Sequence, residues 1–396
     1  MNRTREAVPT LRFPEYLDSG PWIPVPLHQV LEYERPDSCL VKDAHYRESG
    51  IPVLTANKSF LLGYTHEKDH VYQDLPVVIF DDFTTEKKYV DFPFKVKSSA
   101  IKLLKARGDN VLKFLYELMN TIRFEAAEHK RYYISAYQHL IVWLPAGIEE
   151  QQKIADCFFS VDALIDAESR KLAALQKHKR GLLQKLFPAG RKSGPEWRFP
   201  EFQKSGAWEW KKLDDIGKIV TGKTPPTSKA ALWDGDIPFV TPTDMTGEKY
   251  QSNTQRQVTR TASMKILPEH TVLFTCIASI GKMALSTGPC VTNQQINAIL
   301  PEEDWHPELV YYSLLSRVAS IKAALSNTTL PIINKTDFSK IRIPVTQDRK
   351  EQEKIVGCLS EADALIAAQS RQLAHLQAHK KGLAQGLFPS RKEAEK

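Results

Sequence analysis

Gly217-Lys-Ile-Val-Thr-Gly222-Lys223-Thr224 fits the pattern GxxxxGK(S/T). In a nucleotide-binding loop that pattern wraps backbone N–H groups around phosphates and lends them a lysine. The chemistry needs a buried strand before the loop and a helix starting just after it. Here Pro225-Pro226 follow at once, and the preceding KKLDDIGKIV holds only a short apolar run. ATP binding is therefore not expected; a loop of lysine and threonine is better suited to a DNA backbone or to base edges. Glu86-Lys87-Lys88 satisfies ExK, but no PD precedes it at nuclease-like spacing, so it reads as a charged turn. His66 and His70 lie four apart with Glu-Lys-Asp between them, which reads as a solvated loop and not a metal site. No GxSxG, HExxH, CxxC or (D/N/S)PP(Y/F) occurs. With no catalytic constellation found, the chain is expected to be non-catalytic and to hold no cofactor or metal of its own.

The elements that must position these loops are two near-copies of one frame. Residues 150–188 read EQQKIADCFFSVDALIDAESRKLAALQKHKRGLLQKLFP, and residues 351–389 read EQEKIVGCLSEADALIAAQSRQLAHLQAHKKGLAQGLFP; 24 of the 39 positions are identical at an offset of 201. Arg12-Phe13-Pro14-Glu15 with Ser19-Gly20 and Trp22 returns as Arg198-Phe199-Pro200-Glu201 with Ser205-Gly206 and Trp208. Between these frames the halves share little, and the inserts differ in length. A repeated frame with two different inserts suggests one scaffold presenting two different readers.

Both repeated stretches predict long helices, each stopped by a proline, Pro188 or Pro389. Apolar residues recur in heptads. The seam of the first copy comprises Ile154, Phe158, Val161, Ile165, Leu172 and Leu175, and that of the second Ile355, Leu359, Ile366, Leu373 and Leu376. Polar breaks fall at equivalent places, Glu168 with Gln369 and Lys179 with Lys380. They could fix register and orientation, or be solvated edge positions. Each helix would span roughly 55 Å, and an antiparallel pair of that length could hold two domains at opposite ends. Cys157 and Cys358 sit at equivalent places in the apolar pattern and read as small core residues.

The inserts, about 12–148 and 198–347, mix both periodicities. Runs at 51–54, 75–80, 237–240, 271–274 and 341–343 look like strands, while 110–122 and 307–325 look helical. The fold class is therefore α+β: two globular domains separated by two antiparallel coiled-coil helices, with a pseudo-twofold internal repeat. The expected domains are 1–148, a helix over 149–188, a linker over 189–197, a second domain over 198–347, a helix over 348–390 and a tail over 391–396. A net charge of +7 fits a polyanionic partner. Five scattered cysteines suggest a reducing, cytoplasmic setting. No apolar run approaches 18 residues, and MNRTREAVPT lacks the apolar core of a secretion signal.

The chain resembles the specificity subunits of type I restriction-modification systems over nearly its whole length. The resemblance rests on the RFPE starts, TGKTPPTS, WDGDIPFVTPTD, TCIASIGKMAL, TNQQINAI, TTLPIINK and the IPV…EQEKI run into the last helix, taken in that order. The first insert departs from this pattern and looks like a different branch of the same superfamily. The resemblance implies two target recognition domains, each reading a short half-site in double-stranded DNA, and helices that set the gap between half-sites. It also implies docking of two methyltransferase (M) subunits, which supply S-adenosylmethionine, and two motor-nuclease restriction (R) subunits, which use ATP and Mg. Polar residues beside lysines are the candidate DNA contacts: Asn57, Lys58, Tyr64, Thr84, Lys87 and Lys88 in the first domain, and Lys223, Thr224, Thr241, Thr243, Ser279, Lys282, Asn293, Gln294 and Gln295 in the second. Each could instead have a structural role in a turn. Two other readings stay open: the specificity subunit of a type IIB-like system, and a coiled-coil adaptor that binds no DNA.

Overall fold

The computed structural model describes residues 7–43, 45–57, 59–125, 130–190, 192–251, 253–261, 264–325 and 331–389. The chain divides into two compact units, residues 1–169 with 371–396, and residues 170–370. Each unit therefore holds one mixed domain together with the first part of one long helix and the last part of the other.

The first unit contains β1 (Ile23–Pro26), α1 (Leu27–Val30), β2 (Leu31–Glu34), β3 (Ile51–Leu54), β4 (Leu61–Thr65), β5 (Val77–Asp81), β6 (Lys87–Val90), β7 (Lys95–Val96), β8 (Ile101–Ala106), α2 (Leu112–Thr121) and β9 (Ile141–Leu144), and leads into α3 (Ile148–Leu186). One sheet runs β2-β8-β5-β6, all antiparallel, and a second runs β4-β3-β7 with β3 and β7 parallel. The Val-Val-Ile-Phe run of β5 is buried along its whole length because a strand lies on each side and its two faces serve two cores.

The second unit contains β10 (Glu209–Lys212), β11 (Gly217–Thr221), β12 (Trp233–Val240), β13 (Tyr250–Gln251), β14 (Arg256–Val258), β15 (Val272–Thr275), β16 (Met283–Ser286), β17 (Val291–Thr292), β18 (Ile296–Pro301), α4 (Pro307–Leu325), α5 (Lys335–Ser339) and β19 (Arg342–Val345), and leads into α6 (Arg349–Leu387). Its sheets run β11-β18-β15-β16-β13 and β14-β12-β17. Taken in chain order, β2 to β8 map onto β11, β12 and β14 to β18, with β13 added at an edge. The two domains thus share one topology, including the rarer parallel pair (β3 with β7, β12 with β17), although their sequences share little.

The frame repeats down to single side chains. In the first unit Arg12 grips Glu150 through both carboxylate oxygens, at 2.8 and 2.7 Å. In the second, Arg198 grips Glu351 at 2.7 and 2.7 Å. The next residue joins the domain's own helix. Gln151 accepts the Val111 amide ahead of α2, and Gln352 accepts the His306 amide ahead of α4, at 3.1 and 2.8 Å. Strand pairs β1–β9 and β10–β19 close each joint, and an edge-on pair of rings plugs it: Trp22 on Phe388, Trp208 on Phe187.

Within each unit the helix segments are antiparallel. In the first, Phe158 stacks on Phe388, Asp162 pairs with Lys380, and Glu168 accepts from Gln372. In the second, Lys179 pairs with Asp363, and Leu186 and Phe187 share a core with Ile355 and Leu359. Ile154, Phe158, Ile355 and Leu359 are buried, and Val161, Ile165, Leu172, Leu175, Ile366, Leu373 and Leu376 are half-buried between exposed neighbours. That graded stripe is what a two-helix seam produces away from the domains.

Glu150 is 2% exposed and Arg12 4%, so removing the cation leaves a buried charge unpaired. Arg12→Met should destabilise the first unit by about 3 kcal/mol in chemical denaturation. Breaking the half-exposed pair Glu15–Lys153 should leave the midpoint where it is.

Candidate nucleic-acid interface

In the second unit four loops meet beyond the ends of the parallel strands β12 and β17. The loop after β11 docks on the one after β17: Gly222 N donates to Ile296 O, Lys223 N to Thr292 O, and Thr224 Oγ1 to Gln294 Oε1 at 2.7 Å. Gly222 must be glycine, since a Cβ there would lie 2.2 Å from the Asn293 carbonyl oxygen. Asn293 N donates to Val240 O, joining the loop after β12. Thr241 caps that loop, its amide and hydroxyl both donating to Asp244 at 2.8 and 2.6 Å. The β15–β16 loop comes in through Cys276 N to Gln295 O and through Lys282 Nζ to Pro242 O at 3.1 Å. Its shape is fixed by Ala278 and Gly281 at positive φ and by Thr275 Oγ1, which donates to Ser279 O at 2.6 Å.

All nine residues singled out here thus lie in loops that these bonds tie together, Thr243 between the bonded Pro242 and Asp244. Lys223, Thr243, Lys282 and Gln294 are exposed, and Thr224, Thr241, Ser279 and Gln295 are half-buried. Asn293 is buried, with its amide spent on Gln295: Nδ2 donates to Gln295 Oε1 and Oδ1 accepts the Gln295 amide. Asn293 shapes the loop, and Gln294 at its tip faces outward. Residues 217–221 form strand β11, and the segment that follows is extended against the β17 loop with no helix behind it. The strand, turn and helix of a nucleotide-binding loop are not what this sequence builds.

The first unit builds the same site from different residues. The loop after β7 docks on β3 through Lys97 N to Leu54 O, and the β5–β6 loop docks on it through Asp82 N to Ala100 O. Thr84 Oγ1 donates to Asn57 Oδ1 at 3.4 Å, bringing two candidate residues together. Lys58 lies outside the described residues. Tyr64 sits on β4 opposite Pro52, toward the far end of β3 from Asn57. Lys87 and Lys88 do not form a charged turn; both lie in β6, on opposite faces. Lys87 is half-buried over the Tyr137 ring at 5.8 Å and donates to Thr85 O. Burial pulls its pKa down to about 8.

Sequence reasoning missed four residues of this surface. Phe83 is 40% exposed at the tip of the β5–β6 loop, with Arg131 over its ring at 5.9 Å. The tip is rigid because Asp81 Oδ1 accepts the Phe83 and Thr84 amides and Asp82 pairs in the interior with Lys102. Lys97 and Ser98, both exposed, occupy the place of the Asn293 loop. The signal that finds them is positional: KVKSSA and VTNQQI both run from a short parallel strand into the next long one.

A family model described as the type I restriction modification DNA specificity domain matches residues 206–378. The chain is 33% identical over 368 residues to the Escherichia coli type I restriction enzyme EcoR124I/EcoR124II specificity subunit, covering 86% of each chain. It is 34% identical over 143 residues to the HindI specificity subunit of Haemophilus influenzae, covering 34% of this chain and 31% of that one. The crystal structure of a type I restriction-modification S subunit from M. genitalium matches over 97% of this chain and 99% of that one, with a TM-score of 0.66 at 15% identity. The fold is that of a two-domain, two-helix S subunit. The chain belongs to the family of type I restriction enzyme specificity subunits. Among the described residues no helix is long and apolar enough to cross a membrane.

Lys282→Ala should weaken DNA binding and reduce the salt slope of log K by about 0.9, the share of one phosphate contact; titrations at several salt concentrations check this. Lys87 binds its proton more weakly folded than unfolded, where its value is 10.5, so stability should rise with pH between about 8 and 10.5. Lys87→Met should abolish that part of the rise in urea midpoints measured across the window.

Proposed function

We propose that this chain is the non-catalytic DNA reader of a type I restriction-modification enzyme, each domain reading one half of an asymmetric bipartite site in double-stranded DNA. The observation that carries this reading is the pair of equivalent loop surfaces, built on one topology but lined by different residues. Lys223, Thr224, Thr243, Lys282 and Gln294 in the second domain offer hydrogen bonds and positive charge. Asn57, Phe83, Thr84, Lys97 and Arg131 in the first offer a different set. Different donors on one scaffold would read different bases, since base edges in the major groove are told apart by their donor and acceptor patterns. The long helices would dock two M subunits, which bring S-adenosylmethionine for adenine N6 methylation. Two R subunits would bring ATP, Mg, translocation and cleavage. The S chain itself would need no cofactor.

The test is a map of N6-methyladenine in cells expressing this chain with its M subunit. A split, asymmetric motif is expected, and exchange of residues 198–347 for those of another specificity subunit should change one half of it and leave the other. No new methylation with the M subunit bound would overturn the reading and favour an adaptor that binds no DNA.

A further inference from the structure

Each unit gathers a partly buried cluster of opposite charges where its domain meets both helix segments. In the first unit, Lys113 of α2 donates to Glu117 one turn on at 2.8 Å and to Asp162 of α3 at 2.6 Å. Lys380 of α6 reaches the same two carboxylates, Glu117 at 3.0 Å and Asp162 at 2.7 Å. Lys113 and Glu117 are 5% and 2% exposed. In the second unit, Asp363 of α6 pairs with Lys179 of α3 and accepts from Tyr312 Oη of α4 at 2.6 Å. Lys249 adds a second bond to each partner element, with Glu308 of α4 at 2.7 Å and Ser360 of α6 at 2.9 Å.

The helix members are repeat equivalents: Asp162 with Asp363, Lys179 with Lys380. The domain members are not, for a lysine and a glutamate on α2 are replaced by a tyrosine and a glutamate on α4. The frame therefore keeps one acid and one base in fixed places, and each domain supplies its own partners to them.

The geometry points to these two clusters as positioning residues for bipartite recognition: each holds its domain at one angle on its helix pair and so restricts the gap the chain accepts. This rests on the recognition reading above. Apolar contact alone is poorly directional, so a domain seated only on leucines can slide or rock by small steps. Changing a gap by one base pair moves a half-site by roughly 3.4 Å and turns it by roughly 35°, and rejecting that error needs a stiff joint. Paired ions supply it: a shift would unpair the buried side chains of Lys113 and Glu117 in one unit and of Lys249 and Tyr312 in the other. The half-buried Asp162, Lys380, Asp363 and Lys179 are their partners or neighbours. Three elements meeting at one cluster fix both the tilt and the rotation of the domain.

The experiment uses the complex of the full chain with its M subunits and measures methylation of duplexes with the two half-sites at the native gap and at one base pair more or less. Lys380→Met should leave the base preference within each half-site unchanged. It should lower the ratio of native-gap to altered-gap methylation by about tenfold, the effect of losing ~1.4 kcal/mol of discrimination. Tyr312→Phe removes one hydroxyl and no charge, keeps the fold, and should lower the same ratio by a smaller factor. An unchanged ratio in both variants overturns the inference, as does a loss of half-site preference in step with gap preference. A wild-type complex with no gap preference overturns the recognition reading itself, a result the variants cannot produce.

Discussion

Everything in each unit hangs from a carboxylate buried at the start of a long helix. Glu150 and Glu351 are 2% and 1% exposed, and a charge so placed is tolerable only when fully paired. A two-pronged arginine supplies the pairing, and it comes from a segment 138 or 153 residues upstream. That one requirement ties the beginning of each domain to its end. It forces the chain between them to form a closed lobe, and it leaves the following glutamine aimed at the N-terminus of α2 or α4. The lobe can then vary inside, provided its two ends return to the same place. This is how two domains with little sequence in common keep one topology and one attachment.

Much of the frame is legible in the sequence because it is local or periodic. The heptads of Ile154, Phe158 and Ile165, and their copies at Ile355, Leu359 and Ile366, announce helices, and the run 307–325 coincides with α4. The strands of the inserts show as short apolar runs, β3 and β12 among them. Their order is not legible. A two-residue strand such as β7 or β17 carries no periodicity, yet it pairs in parallel with a strand far back in the chain, Lys95 with Val53 and Val291 with Phe239, and so decides the layout of the loops. The lysines show the same limit. Lys223 and Lys282 read as loop cations and are exposed; Lys87 reads the same way, yet it faces Tyr137, because a strand boundary one residue away decides which side chain points in. Lys179 and Lys380 break an apolar seam for a reason no window around them contains, since their partners, Asp363 and Asp162, lie on the other helix.

The site follows from the frame by geometry more than by composition. Parallel strands end side by side, so the loops after β12 and β17 are neighbours in the second unit, as are those after β3 and β7 in the first. Into that corner the β5–β6 or β15–β16 hairpin loop folds back, held by the amides of Asp82 and Cys276. The backbone bonds recur in both units, whereas the exposed side chains do not. A fixed backbone with free choice of outward residues can change what it reads without refolding, because the interior bonds use main-chain atoms and buried side chains such as Asp81 and Asn293.

The repeat is not perfect, and one departure shows how such a frame tolerates change. Glu150 has an acceptor position left after Arg12, and Trp22 Nε1 fills it at 3.3 Å. In the second unit Thr346 stands where the first has Pro145, and its hydroxyl donates to Glu351 Oε2 at 2.7 Å. Trp208, the counterpart of Trp22, is left with a buried Nε1 that finds no hydrogen-bond partner among the described residues. A lost indole bond of this kind costs about 1–3 kcal/mol, and the threonine bond to a charged acceptor offsets it by a similar amount. The carboxylate is satisfied in both units, and the indole gives way. What persists through the divergence of the two halves is the pairing of the buried charge, while the neutral donors around it are interchangeable.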